Sequence, residues 1–228
     1  MNYFITGASR GIGFELTSQL LTLGENVVAC ARTPEKAKDL QILAREYPKQ
    51  CQMIACDVND EKSVAKALGE VHVDHLDVVV NCAGILLNYD GSIEKFNVDE
   101  LKTTMQTNLY GPIFVTKYAV NLLKKSSSPK LVNITSQMGS IADNSSGNAY
   151  AYRISKTALN MFSKNLSLSE PWLCVLMLHP GWVQTDMGGA HALVAPQESV
   201  HGLINVITSA SQKDSGRFLN FRNEEIPW

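Results

Sequence analysis

The chain has 228 residues, is 45% hydrophobic and 18% charged, and carries 20 Lys+Arg against 22 Asp+Glu for a net charge of −2, an ordinary globular composition. Near neutrality supplies no field to gather nucleic acid or acidic membranes, and no apolar run approaches the ~18 residues of a membrane helix. The five cysteines are odd in number and sit inside apolar runs such as Val27-Val28-Ala29-Cys30, which excludes a disulfide framework or zinc spacing.

Short apolar runs alternate with longer segments of helical period, the pattern of a parallel sheet built from βαβ units. Strands are expected at 3–6, 26–31, 51–56, 76–80, 131–135, 173–178 and 217–221. The first starts so near the N-terminus that no leader fits ahead of it, so a cytoplasmic protein is expected. After it, Ile12, Leu16, Leu20 and Leu23 share one helical face, with Gly24 at the C-terminal cap. Thr33-Pro34 predicts a second helix with Pro in its first position, and Asp60 caps a third that carries Val64, Ala67 and Leu68. The stretch 99–125 predicts a long helix interrupted at Gly111-Pro112, and 149–168 predicts another. The polar connections at 126–129 and 143–148 are too short to part domains, so the fold class is α/β, one domain over 1–228. Its cofactor-binding half is expected at about 1–130 and its catalytic and substrate half at about 131–228.

Gly7, Ser9, Arg10, Gly11, Ile12 and Gly13 form a glycine-rich turn between the first strand and the first helix. There, backbone N–H groups and the positive end of the helix dipole can approach a pyrophosphate that a Cβ would obstruct. Where an NAD-binding chain places a carboxylate on the ribose 2′-hydroxyl, at the end of the second strand, this chain has Ala31-Arg32. A guanidinium there pairs with a 2′-phosphate, with Arg10 as a second candidate, so NADP(H) is expected in preference to NAD(H). The alternative is that both arginines are solvated and Glu35 reaches the ribose.

Asp57 and Val58 follow the third strand and Asn81-Cys82-Ala83-Gly84 the fourth, at the carboxyl ends where open α/β sheets bind ligands. Asp57, Val58, Asn81, Ala83 and Gly84 are therefore expected in the cofactor site, Asp57 toward the adenine amino group; Asp57 reads equally as a helix cap, and Gly84 as a turn glycine. Tyr152 and Lys156 lie four apart on one helical face, where an ammonium favours phenolate and pulls the phenol toward working pH as a general acid. Ser136 ends the fifth strand and can donate to a carbonyl oxygen that gains charge. Asn108 interrupts a helix where a freed backbone carbonyl can hold a water leading to Lys156. His72-x-x-His75 has no further ligand and reads as surface, and Gly-x-Ser-x-Gly is absent, so neither a metal site nor a hydrolase triad is indicated.

Taken together, the turn Thr6 to Gly13, Asn81-Cys82-Ala83-Gly84, Asn108, Ser136, Tyr152-x-x-x-Lys156 and His179-Pro180-Gly181-Trp182-Val183-Gln184-Thr185 resemble the short-chain dehydrogenase/reductase family over nearly the whole chain. Gly139-Ser140-Ile141, the segment Tyr150 to Lys156 and the run His179 to Gly189 are similar to the Sniffer and C-factor group of carbonyl reductases within it. The resemblance implies a Rossmann-type doubly wound domain with a seven-stranded parallel sheet and a tetrad Asn108, Ser136, Tyr152 and Lys156. It implies that Lys156 and Tyr152 touch the nicotinamide ribose, that Pro180, Gly181 and Val183 lie near the nicotinamide, and that Thr185 holds the carboxamide. The implied reaction is NADPH-dependent reduction of a small-molecule carbonyl, with a homodimer or homotetramer as the assembly; a dinucleotide-binding signalling protein with little turnover is the other reading. Two features depart from most of the family: the polar stretch 143–148 lengthens the path from Ser136 to Tyr152, and the segment 186–196 leaves a small lid. Trp182, Met187, Tyr150 and Leu86 are candidates for an apolar substrate pocket.

Overall fold

A computed structural model describes residues 1–89 and 92–228. Each expected strand forms, with its ends within two residues of expectation: β1 (Asn2–Thr6), β2 (Asn26–Ala31), β3 (Cys51–Ala55), β4 (Val78–Asn81), β5 (Lys130–Ile134), β6 (Cys174–His179) and β7 (Arg217–Asn220). All pair in parallel in one sheet of order β3-β2-β1-β4-β5-β6-β7. The runs are continuously apolar because both faces are buried: Tyr3 and Ile5 enter one core, and Phe4 between them enters the other.

The helices are α1 (Gly11–Thr22), α2 (Lys38–Glu46), α3 (Glu61–Gly69), α4 (Val98–Met105), α5 (Gly111–Leu123), α6 (Tyr150–Ser169) and α7 (Pro196–Ser209). Leu16 and Leu20 of α1, Leu40 and Leu43 of α2, and Leu203 and Ile207 of α7 cover one face. Val64 and Leu68 of α3 and Val115, Ala119 and Leu123 of α5 cover the other, giving three layers.

Two local expectations are corrected and one helix is added. Pro34 opens only the 3-10 turn Pro34–Lys36; Ala37 then leaves helical geometry at ψ 70°, and α2 starts at Lys38, laying Leu40 and Leu43 against the sheet. The helix expected over 99–125 breaks before Gly111, in a π-helical turn at Gln106–Tyr110 closed by Gly111 N–H donating to Gln106 O. Gly111-Pro112 instead begins α5, and Gly111 is required there because a Cβ would stand 2.9 Å from Val58 Cβ. Finally, α7 was not expected, although Pro196 at its start and buried Val200, Leu203, Ile204 and Ile207 follow the helical rule.

The strand order reverses between β1 and β4, so the loops leaving them part in opposite directions and open a crevice at the carboxyl end of the sheet. The Thr6 hydroxyl ties the two strand ends together, accepting from Cys82 N–H at 3.0 Å and Ala83 N–H at 3.2 Å.

Helix α7 seats on β7 through Gly202, where a Cβ would lie 2.2 Å from the backbone oxygen of Phe221. Gly202→Ala is expected to lower the unfolding free energy by about 1–3 kcal/mol in urea titrations, the cost of overpacking a rigid contact. Gly69→Ala, whose Cβ would meet nothing within 4 Å, should be neutral or slightly stabilising.

Candidate active site

Loops after β1, β2, β3, β4, β5 and β6 surround a cleft of about 1410 Å³ along the carboxyl edge of the sheet. At its floor the glycine turn enters α1, and no side chain caps that helix end nor does an acidic residue stand in its first turn, so its leading N–H groups and dipole face the cleft. Gly7, at φ +71°, passes so close to the β4 loop that a Cβ would be 2.9 Å from Ala83 Cα, and a Cβ on Gly13 would be 2.3 Å from Gly7 O. This close-packed cradle suits a pyrophosphate. Beyond it, exposed Arg32 and the pair Asp57 and Val58 line the far end. Asp57 is not a helix cap: its Oδ1 accepts from Asn59 N–H within its own turn, and Asp60 caps α3. Arg10 also borders the cleft, and its exposed guanidinium pairs at 3.1 Å with Asp186 of the segment after β6, across the cradle.

At the other end, β5 delivers Ser136 and α6 delivers Tyr152 and Lys156. Ser136 Oγ accepts from Met138 N–H at 3.1 Å, which leaves its proton free to be donated into the cleft. Lys156 Nζ lies 5.7 Å from the centre of the Tyr152 ring and donates to Ile134 O at 2.9 Å. The expected depression of the phenol does not occur. Burial pushes Tyr152 up to about 12, with the Ser136 hydroxyl pulling weakly the other way, and burial also lowers Lys156 to about 8. The phenol is thus held protonated.

Asn108 and Asn81 do not line the cleft. Asn108, fully buried in the π turn, accepts from Ile85 N–H, donates to Ile85 O and donates to Ser155 Oγ, so it fastens the β4 loop to the helix carrying Tyr152. Gly84 separates it from the lysine: a Cβ there would stand 3.4 Å from Asn108 Oδ1 and 3.6 Å from Lys156 Nζ. Asn81 points into the sheet and donates to Asn133 Oδ1. Glu35, the alternative to Arg32, does not border the cleft either, whereas every other residue proposed from the sequence for the cofactor or the chemistry, from Gly7 to Thr185, does.

Of the apolar candidates, Leu86, Trp182 and Met187 line the cleft, whereas Tyr150 packs against Phe96 with ring centres 5.6 Å apart. Cys82, Tyr89, Met138, Asp143, Arg153 and His179 line it without having been assigned. Position at the carboxyl end of a strand was the available signal for Cys82 and His179; Asp143 arrives on the polar loop, and Arg153 of α6 donates to that loop at Ser146 Oγ and Asn148 O. Among the described residues no group of three His, Cys, Asp or Glu could hold a metal, and no helix is long and apolar enough to cross a membrane.

Residues 2–193 match the model of a family described as short chain dehydrogenase. The chain is similar to the C-signal of Myxococcus xanthus, 37% identical over 155 residues, or 67% of this chain and 93% of that protein. Among solved structures it is similar to the carbonyl reductase Sniffer of D. melanogaster, with TM-score 0.94 and 32% identity over 100% of this chain and 99% of the other. It is also similar to an NADPH-bound carbonyl reductase from chicken fatty liver, with TM-score 0.93 and 33% identity over 100% and 98%.

Burial lowers His179 from 6.5 to about 4, so it stays neutral in the folded protein while the unfolded chain takes up a proton. Stability is therefore full above pH 6.5 and falls as pH drops toward 4, by about 3 kcal/mol at most. Urea midpoints at pH 7 and 4.5 check this, and His179→Leu should flatten that part of the profile.

Proposed function

Because the chain belongs to the short-chain dehydrogenase family, we propose that it is an NADP(H)-dependent oxidoreductase that reduces the carbonyl of an aldehyde, ketone or quinone to the alcohol. The observation that carries this reading is the shared cleft: an uncapped helix end with a glycine cradle and Arg32 at one end, and Ser136, Tyr152 and Lys156 at the other. The cradle fits a pyrophosphate, and Arg32 fits the 2′-phosphate that separates NADP(H) from NAD(H). Arg10 of the glycine turn, which borders the same cleft and shares only an exposed pair with Asp186, is the second candidate for that role.

When bound, NADPH supplies the hydride. The protein's part is to place the carbonyl and manage its charge. The Ser136 hydroxyl, its oxygen already accepting from Met138 N–H, donates to the carbonyl oxygen. Tyr152 delivers the proton to that same oxygen as negative charge develops there, and its high pKa keeps the acid loaded at neutral pH. The ammonium of Lys156, 5.7 Å from the ring, stabilises the phenolate left behind. Asn108 acts at one remove, holding α6 to the loop after β4. Pro180, Gly181 and Val183 would back the nicotinamide and Thr185 its carboxamide.

The same reading makes the protein cytoplasmic, acts it on a small molecule rather than nucleic acid or membrane, and makes a homodimer or homotetramer the expected assembly. The likeness to C-signal favours one other reading, a signalling protein that binds the dinucleotide and turns over little. Tight NADPH binding with no oxidation against aldehydes, quinones, α-dicarbonyls and ketosteroids would select it.

Tyr152→Phe removes the proton donor and leaves the cradle intact, so turnover should drop about 10²–10⁴-fold while the NADPH dissociation constant moves less than about threefold. Unchanged turnover would remove Tyr152 from the chemistry. Arg32→Ala should weaken NADPH by roughly tenfold or more and leave NADH nearly unaffected, as read by fluorescence titration; equal losses would make Arg32 a surface residue.

A further inference from the structure

Among the described residues, three buried side-chain polar atoms have no hydrogen-bond partner: Asn81 Oδ1, Thr104 Oγ1 and His179 Nδ1. His179 differs from the other two in bordering the cleft. Its Nδ1 is sealed, while its Nε2 is neither sealed nor bonded to any described protein atom. A half-buried imidazole with a sealed nitrogen and no protein partner is uncommon enough to call for an explanation.

Its position supplies one. Leu178 pairs with Ile134, and Thr135 N–H donates to Leu178 O at 2.8 Å, so His179 stands level with Thr135 on the neighbouring strand. Adjacent strands run about 4.8 Å apart, which puts the ring one strand spacing from the backbone that presents Ser136. On its other side begins the run Pro180 to Thr185. The imidazole therefore borders the same cleft as Ser136 and Tyr152, at the end of the strand next to the one that presents Ser136. Side chains along β6 alternate between faces, and His179 shares the parity of Met177, which packs with Phe218 and Ile226. Asp143 faces it across the cleft but is engaged elsewhere, its Oδ2 accepting from Gln137 Nε2 at 2.6 Å. The ring, neutral at working pH, offers one hydrogen-bonding nitrogen to the cleft.

Resting on the reductase reading, we propose that His179 is a specificity-determining residue whose Nε2 hydrogen-bonds a second polar group on the carbon adjacent to the reacting carbonyl. Carbonyl compounds oxygenated at that carbon satisfy the imidazole; plain ketones and aldehydes leave it unpaired. A site built to hydrogen-bond a substrate group discriminates strongly against the analogue lacking it.

The test uses phenylpropanedione, with two adjacent carbonyls, against propiophenone, with one, on the wild type, His179→Leu and His179→Gln, each saturated with NADPH. The wild type is expected to favour the diketone. His179→Leu should cut kcat/KM for the diketone roughly tenfold or more, chiefly through KM, while propiophenone changes less than about threefold, and His179→Gln should recover part of the loss. An equal fall for both ketones, or a preference that survives in His179→Leu, overturns the proposal. Calorimetric binding of both ketones to the NADP⁺ complex gives an arm independent of turnover. If the wild type reduces neither ketone yet binds the diketone more tightly, and His179→Leu loses that preference, His179 keeps its role and the reductase reading falls. Equal binding of the two ketones by the wild type overturns the role itself.

Discussion

The contact between the end of β1 and the end of β4 governs everything built at the carboxyl edge of the sheet. Here the Thr6 hydroxyl accepts from two successive N–H groups, those of Cys82 and Ala83, and Gly7 comes within a Cβ's reach of Ala83. The staple has to be made by a side chain because the strands diverge at this point and the ladder can no longer pair the backbone. Its consequence is a crevice whose floor is fixed by close packing of glycine and alanine. A ligand is then met by backbone N–H groups that are already in place.

The reaction end shows the same logic with opposite electrostatics. Burial drives Tyr152 and Lys156 toward their neutral forms, the phenol by keeping its proton and the amine by approaching the loss of one. The four-residue spacing in the sequence correctly placed the two groups on one face of α6, but spacing carries no information about dielectric. Desolvation is the largest influence on each group. A protonated phenol is the form a reductase needs at the start of its cycle.

How far the fold was legible follows from where its information lies. Strands buried on both faces write themselves as short apolar runs, and β1 to β7 were readable to within two residues. The glycine turn, Ser136, Tyr152 and Lys156 were readable because each is set by position within one strand or one turn of helix. What escaped depends on distant partners. Asn108 fastens Ile85 and Ser155, 23 and 47 residues away, and nothing local announces either contact. The interruption read at Asn108 falls inside the turn Gln106 to Tyr110, but its π geometry escaped because those five residues have no composition that separates them from an α-helix. Arg10 was readable as a cleft residue by its place in the turn, but its exposed pairing with Asp186 was not, because only the return of the chain after β6 brings that carboxylate to it.

The strand order also has a temporal side. As the chain is synthesised, β1 emerges first, and β2 and β3 can add to one of its edges in sequence. The opposite edge must wait for β4, whose Val78 to Val80 pair with Tyr3 to Ile5. Until then a strand bare on one side is exposed, and each later strand adds outward from β4 to β7. Covering that edge therefore requires the ends of one long loop to meet, at a cost in chain entropy. The floor of the cleft depends on that same pairing, since Gly7 of the turn packs on Ala83 after β4, so one contact both covers the edge of β1 and completes the cradle.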